Sequence, residues 1–303
     1  MHKRYLFVLL FFILLSFLSC KNRLKPETPS FKSVFGIQFT EVKRVFDNGL
    51  SFAQNGYQMK PDWQLTFIST DSVNIYSPAK KKFFNCPVGY DHDSVFNVAW
   101  AWIKLRKICK DSLVFQVLHV QDQVITYAKS NMYMTLYAND YIKNHLHTTP
   151  QSLQHPSRKD TLYIKQRINE VNGVPDSAFS ATEQAELKSR SPLLKVERVL
   201  PEPDETAMED PIPTYMLPEY NISIQKAYDD FSYSFSVIID AEGKMAFYRS
   251  TTAMMPEFAE ATKRTMRAII AGYLTHYLDV RPGKTLGQPH ASIVMINVKG
   301  AKG

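Results

Sequence analysis

Residues 231–244 read Phe231-Ser232-Tyr233-Ser234-Phe235-Ser236-Val237-Ile238-Ile239-Asp240-Ala241-Glu242-Gly243-Lys244. In an extended chain successive side chains point to opposite faces. Phe231, Tyr233, Phe235, Val237 and Ile239 therefore share one face and Ser232, Ser234 and Ser236 the other. That alternation predicts a half-buried strand. Asp240–Gly243 turns it, and Lys244–Tyr248 returns as its partner. Pro256 suits the first turn of a helix, where its missing N–H costs nothing. Glu257 and Glu260 favour the positive end of the helix, and Phe258, Met266, Ile269, Ile270, Tyr273, Leu274 and Tyr277 give it one apolar face. Arg281-Pro282-Gly283 ends the region, and Ala291–Val298 supplies a last strand. The expected order over residues 214–303 is β-β-α-β, a helix packed on a small sheet.

Working outward, residues 201–213 hold four prolines and five acids. Such a stretch buries no core and stiffens the backbone, so it is expected to be the linker between two domains. Residues 36–200 form the other domain, expected to be β-rich with an irregular helical extension. Asn48-Gly49 and Asn55-Gly56 are hairpin-type turn signals. Trp63–Ile68, Val73–Tyr76, Leu113–Val120 and Asn131–Ala138 have strand composition. Val95–Ile108 fits both periods, and the spacing of Val95, Val98, Trp102 and Leu105 favours a helix capped by Asp91 or Asp93. Helical pieces are also expected at Asp140–His147 and Ala181–Ser189. The fold class is α+β.

The amino terminus has the layout of a secretory signal: basic Lys3 and Arg4, then an uncharged, mostly apolar run from Tyr5 to Ser19. Phe17-Leu18-Ser19-Cys20 resembles the lipobox of bacterial lipoproteins. The resemblance implies a signal peptide over residues 1–19, a lipidated Cys20 and a tether over 20–35. It also implies a cell-envelope location, most simply the outer membrane facing the periplasm, because no acidic run follows Cys20. An uncleaved span and an ordinary cut after Ser19 are the alternatives. The apolar run is short against the roughly 20 residues that a membrane helix needs.

The formal charge is +7. Basic residues cluster at Lys80–Lys82, at Lys104/Arg106/Lys107/Lys110 and at Lys263/Arg264/Arg267. They read as solvated faces or as attraction to anionic envelope lipids and polymers. No nucleic-acid motif accompanies them. With Cys20 used by lipid, Cys86 and Cys109 remain, and an oxidising compartment permits a disulfide between them. No metal-ligand spacing and no cofactor motif is present, so neither metal nor cofactor is expected. Gly283-Lys284-Thr285 lacks the earlier glycine of a P-loop. His145 and His147 diverge on a helix, and His155 joins them only through a loop. Asp91-His92-Asp93-Ser94 reads as a polar turn. Asp-Ser/Thr-apolar triplets recur at Asp71, Asp93, Asp111, Asp160 and Asp176 and resemble an O-glycosylation signal of some Gram-negative bacteria.

Three pieces resemble the TonB C-terminal domain family over about residues 212–299: the strand running into Asp240-Ala241-Glu242-Gly243-Lys244, the Pro256-Glu257 helix start, and Arg281-Pro282-Gly283-Lys284 with Gly287-Gln288-Pro289. Asp279 or Val280 stands where the family often has tryptophan. The resemblance implies a module that captures an extended segment of an envelope protein by adding a strand to an exposed edge. The edge expected here is the last strand, through Ser292, Val294, Ile296 and Val298. The lipobox argues against energy transduction, which needs an uncleaved inner-membrane helix. The leading expectation is a lipid-anchored, non-enzymatic binding or scaffolding protein whose partner is an envelope protein or polymer. Alternatives are a carrier of a small apolar ligand in the aromatic-rich first domain, and a hydrolase using His92 or His119.

Overall fold

A computed structural model describes residues 29–78, 80–171, 177–200, 213–251 and 254–303. The expected signal peptide and Cys20, as well as residues 201–212 of the expected linker, lie outside them. The fold is mixed and strand-rich, with a barrel followed by a helix-covered sheet.

Eight strands close the barrel: β1 (Gln38–Phe46), β2 (Gln64–Phe67), β3 (Ser72–Ser77), β4 (Lys82–Tyr90), β5 (Val95–Val98), β6 (Ala101–Ile108), β7 (Ser112–Val117) and, after the small ribbon β8 (Val120–Gln121)/β9 (Val124–Ile125), β10 (Met132–Ala138). Each pairs antiparallel with its neighbour in sequence, and β10 returns to β1. An eight-stranded barrel has an interior that side chains just fill, or that holds one small ligand. This one is filled, by Phe39, Leu65, Phe67, Val73, Ile75, Phe96, Ile103, Leu113, Phe115, Met134 and Leu136. A 3-10 turn, Phe31–Val34, plugs the end at which β1 begins. Phe31 stacks on Phe67 at 3.8 Å and meets the edge of Phe115 at 6.3 Å. The tether expected over 20–35 therefore ends sooner, because burying Phe31 and Val34 stabilises an ordered plug by about 2 kcal/mol per side chain.

Val95–Ile108 is not a helix but the β5–β6 hairpin, turning at Ala99 with φ 57°. Phe96, Val98, Ile103 and Leu105 face the core at period two. The barrel seals these side chains on one face, and a helix would scatter them. Asp93 lies in the β4–β5 turn with φ 48° and caps no helix.

The seam between β1 and β2 closes by charge. The register ends at Thr40–Gln64, with one further backbone bond from the Glu41 N–H to the Trp63 carbonyl at 2.7 Å. Beyond it the fully buried Glu41 carboxylate accepts the Asp62 and Trp63 N–H groups at 3.0 Å each. Glu41 is gripped by the Arg44 guanidinium, which also reaches Asp62 at 2.6 Å.

Helices α1 (Asn139–Asn144), α2 (Pro150–Leu153) and α3 (Arg158–Val171) follow the barrel. The first matches the piece expected at 140–147. The third was missed, although Ser157-x-x-Asp160 is a capping box: Ser157 N–H donates to Asp160 Oδ2 at 2.8 Å and Asp160 N–H to Ser157 Oγ at 3.2 Å. Asp160 Oδ1 also accepts the Ser51 N–H at 2.7 Å, so α3 is pinned to the 47–63 loop.

The second unit begins before residue 201. Strands β11 (Glu186–Ser189) and β12 (Leu194–Val199) precede the acidic stretch; β13 (Glu219–Ala227), β14 (Phe231–Ile239) and β15 (Met245–Ser250) follow it. Helix α4 (Pro256–Ile269) continues through a π-turn, Ile270–Leu274, and a last turn, Thr275–Tyr277. Then come β16 (Leu278–Arg281), β17 (Lys284–Thr285), β18 (Gln288–Pro289) and β19 (Ser292–Lys302). The sheet order is β12-β13-β19-β14-β15, with β13 and β19 parallel. Met266, Ile269, Ile270 and Leu274 of the helical segment pack on its inner face.

Two expectations are corrected here. The stretch 201–213 does not divide the domains, because β12 on one side of it pairs with β13 on the other. Ala181–Ser189 is not helical: Glu186–Ser189 pairs with Leu278–Arg281, a partner too distant for local propensity to register.

Candidate functional site

The expected partner edge is wrong in its strand. β19 is hydrogen-bonded on both sides, to β13 and to β14. Ser292, Val294, Ile296 and Val298 are all buried, and their apolar members form the centre of the core. The last strand is threaded into the middle of the sheet, flanked by a strand on each side.

The outer strands of the sheet are β12 and β15. β12 exposes Lys195, Glu197 and Arg198, with Lys195 paired to Glu197, and such mixed charge guards an edge against pairing. β15 (Met-Ala-Phe-Tyr-Arg-Ser) carries a single charge, Arg249. Its register with β14 shifts between Ser236 and Val237, which places Tyr248 at a bulge. The helix that packs by it, α4, opens with two apolar side chains left in solvent, Met255 and Phe258, 68% and 62% exposed. The Arg267 guanidinium lies 5.2 Å from the Phe247 ring centre, and that of Arg249 lies 5.5 Å from Tyr248. Lys263 and Arg264 add positive charge along the same helix, where Glu260 is tied to Lys263. Among the described residues, this side of the unit thus joins an outer strand with one strand partner, a helix with exposed apolar side chains at its start, and guanidinium groups on the strand's aromatic rings. Sequence reasoning had named Phe258 and Lys263-Arg264/Arg267 separately; nothing in the linear chain puts them beside β15.

The two cysteines are free thiols. Cys86 faces inward on β4, Cys109 sits in the turn after β6, and β5 lies between. Two strand spacings are about 10 Å, beyond disulfide reach. Bonds from the Ser112 side chain and backbone hold the Cys109 thiol below the usual range, while burial pushes Cys86 up.

His92 Nδ1 meets Asp91 Oδ2 at 2.6 Å in an exposed β4–β5 turn at the plugged end of the barrel. His119 follows β7 at the other end, so the two never share a cleft. Among the described residues no group of three or more His, Cys, Asp or Glu side chains is placed to hold a metal. His145 stacks on Tyr141 instead. No described helix is long and apolar enough to cross a membrane.

One histidine that sequence reasoning passed over is fully buried where the two units meet. His290 Nδ1–H donates to the Ala291 carbonyl at 3.0 Å, which leaves Nε2 to accept the Thr285 hydroxyl at 2.9 Å. Burial holds this imidazole below its ordinary range, and the nearby Arg167 charge adds to the effect.

No protein-family model matches this chain, and no curated protein matches its sequence.

Proposed function

We propose that the chain is a lipid-anchored cell-envelope protein without a catalytic role, and that its C-terminal unit captures an extended peptide segment of an envelope protein by strand addition at β15. The observation that carries this reading is that β15, among the described residues, is an outer strand with a single charge, carries the Arg249 and Arg267 guanidinium groups on its Tyr248 and Phe247 rings, and is packed by a helix whose start exposes Met255 and Phe258. An added strand satisfies the free backbone groups of an edge, and side-chain pockets confer choice. The guanidinium groups favour a segment in which apolar residues alternate with acids. The TonB-like reading of the helix-on-sheet unit belongs to the same proposal, moved from β19 to β15. Cys20, outside the described residues, supplies the anchor, and an outer-membrane position facing the periplasm follows from the signal.

Strand capture is tested with synthetic peptides of alternating apolar and acidic residues. Proline is placed singly at Ala246 and at Phe247, next to each other, so that one of the two removes an outward N–H. The variant that keeps its melting temperature is the outward one, and it is expected to lose peptide binding; unchanged binding there refutes the edge. The anchor is tested by intact mass of envelope-extracted protein, wild type against Cys20→Ala. An acyl mass that vanishes in the variant supports it.

The packed barrel core weighs against the small-ligand carrier. The cleft of about 420 Å3 at the plug is lined by Ser30, Lys32, Thr70 and Tyr90 and floored by the core side chains Phe31 and Phe96.

A further inference from the structure

The β3–β4 hairpin outruns the barrel that it belongs to. β2 pairs with β3 only along Val73–Ile75, and β5 pairs with β4 only along Val88–Tyr90. The ladder between β3 and β4 nevertheless runs on to Ser77–Lys82. The segment from Tyr76 to Phe84 is therefore a two-stranded arm, supported by neither flanking strand at its tip. Its chemistry is one-sided: residues 72–90 contain Lys80, Lys81 and Lys82 and no Asp or Glu.

The arm also keeps its aromatic side chains out of the core. Phe83 is 42% exposed and packs across the hairpin on Tyr76, with ring centres 5.2 Å apart. On the other face, the Lys80 and Lys82 ammonium groups sit 5.6 and 4.9 Å from the Phe84 ring centre. Trp100, 46% exposed, and Lys104, 5.4 Å from the Tyr127 ring centre, occupy the same end of the barrel. Lysines alone guard an open strand edge against pairing. Large aromatic side chains left in water beside them work against that protection, so the pair needs another account.

We propose that this arm docks on an anionic lipid bilayer, with the lysines among the headgroups and Phe83, Tyr76 and Phe84 at the headgroup–acyl boundary. Amphipathic aromatic rings rest at that depth, and lysine stems extend past them to the charged layer. Three compact ammonium charges suit a diffuse anionic surface. The arm carries no Arg, the side chain of choice for bidentate phosphate recognition in nucleic acid. The surface is distinct from the β15 edge and does not depend on the lipid at Cys20. Where both are present it fixes which end of the barrel meets the membrane.

The test uses the chain carrying Cys20→Ala, so that no acyl group contributes, with Phe83→Trp as a reporter and the Cys20→Ala chain alone supplying the background from the native tryptophans. Vesicles contain brominated lipid and either phosphatidylcholine alone or phosphatidylcholine with phosphatidylglycerol. Quenching of the added emission is expected only with phosphatidylglycerol, and is expected to disappear at about 0.5 M salt, where the Debye length is a few ångström. Each lysine contributes about a fivefold gain in surface affinity, so the triple change Lys80→Gln, Lys81→Gln, Lys82→Gln is expected to weaken docking about 100-fold. The triple change to Glu should abolish it. Equal quenching in both vesicle types, no quenching in either, or quenching that survives both triple changes overturns the proposal. So does a shift with soluble polyglutamate and none with vesicles.

Discussion

The His290 imidazole lies flat on the Phe179 ring, with centres 3.9 Å apart and planes 11° from parallel. The Arg167 guanidinium of α3 stands 5.4 Å from the centre of the same ring. Around it, Phe52 from the barrel loop, Ile164, Ile168 and Val171 from α3, Ile238 from β14 and Ala291 just before β19 form one apolar cluster. This cluster joins the two units, and a neutral histidine sits against it.

That neutrality gives the junction a pH dependence. His290 in the folded chain binds its proton less readily than in the unfolded chain, where its pKa is about 6.5. Its contribution is fully present above that value and is lost as pH falls through the lower folded one. Protonation would also place a second cation beside Arg167 and remove the acceptor that Thr285 uses. Thermal melts from pH 7 to pH 4.5 are expected to show a falling melting temperature, with a smaller slope in His290→Gln. Equal slopes in the two chains would contradict the assignment.

Glu41 acts with the opposite sign. Burial pushes its carboxyl up despite the bonds from Arg44. Its own titration therefore favours the fold at low pH, and that part is lost as pH rises through the raised value. Glu41→Ala leaves the Asp62 and Trp63 N–H groups without an acceptor and is expected to cost about 3–5 kcal/mol, as for other broken buried pairs. Glu41→Gln keeps an acceptor and should cost less. Urea unfolding midpoints measure both.

Gly56 fits the seam between the units because it has no side chain. Its φ is 89°, and a Cβ there would lie 2.1 Å from the Ser180 carbonyl oxygen. Asn55 accepts the Ser180 N–H at 3.0 Å across the same contact. Gly56→Ala is expected to lose more than about 1 kcal/mol. Limited proteolysis should show earlier cleavage near 177–185 than in wild type; an unchanged pattern and midpoint would sink the claim.

The thiols should differ in reactivity. With Cys109 held low by Ser112 and Cys86 pushed up by burial, the thiolate fraction at neutral pH favours Cys109. Peptide mapping after brief iodoacetamide treatment is expected to find Cys109 modified about tenfold faster. Ser112→Ala should narrow that gap. A Cys86–Cys109 disulfide in the native protein would contradict the barrel register.

Local pattern was enough for most individual elements. The alternation from Phe231 to Ile239, the Pro256 helix start and the strands at Val73, Leu113 and Met132 all stand where period and turn chemistry place them, because each signal lies within a few residues. The Ser157–Asp160 capping box was equally local and equally readable. Partnership between segments was not. Whether Ser292–Val298 lies at an edge or at the centre depends on β13 finding it in parallel, some seventy residues away in the chain. Whether Pro201–Pro213 parts two domains depends on Leu194–Val199 crossing it to pair. Val95–Ile108 satisfied both helix and strand periods, and only closure of the barrel chose between them by sealing one face. The sequence by itself determined the strand-rich composition, the helix over the last sheet and the lysine run at Lys80. Tertiary structure alone decided which strands are edges, where the second unit begins and which charges are buried, because hydrogen-bond pairing and burial between distant segments leave no periodic trace in either one.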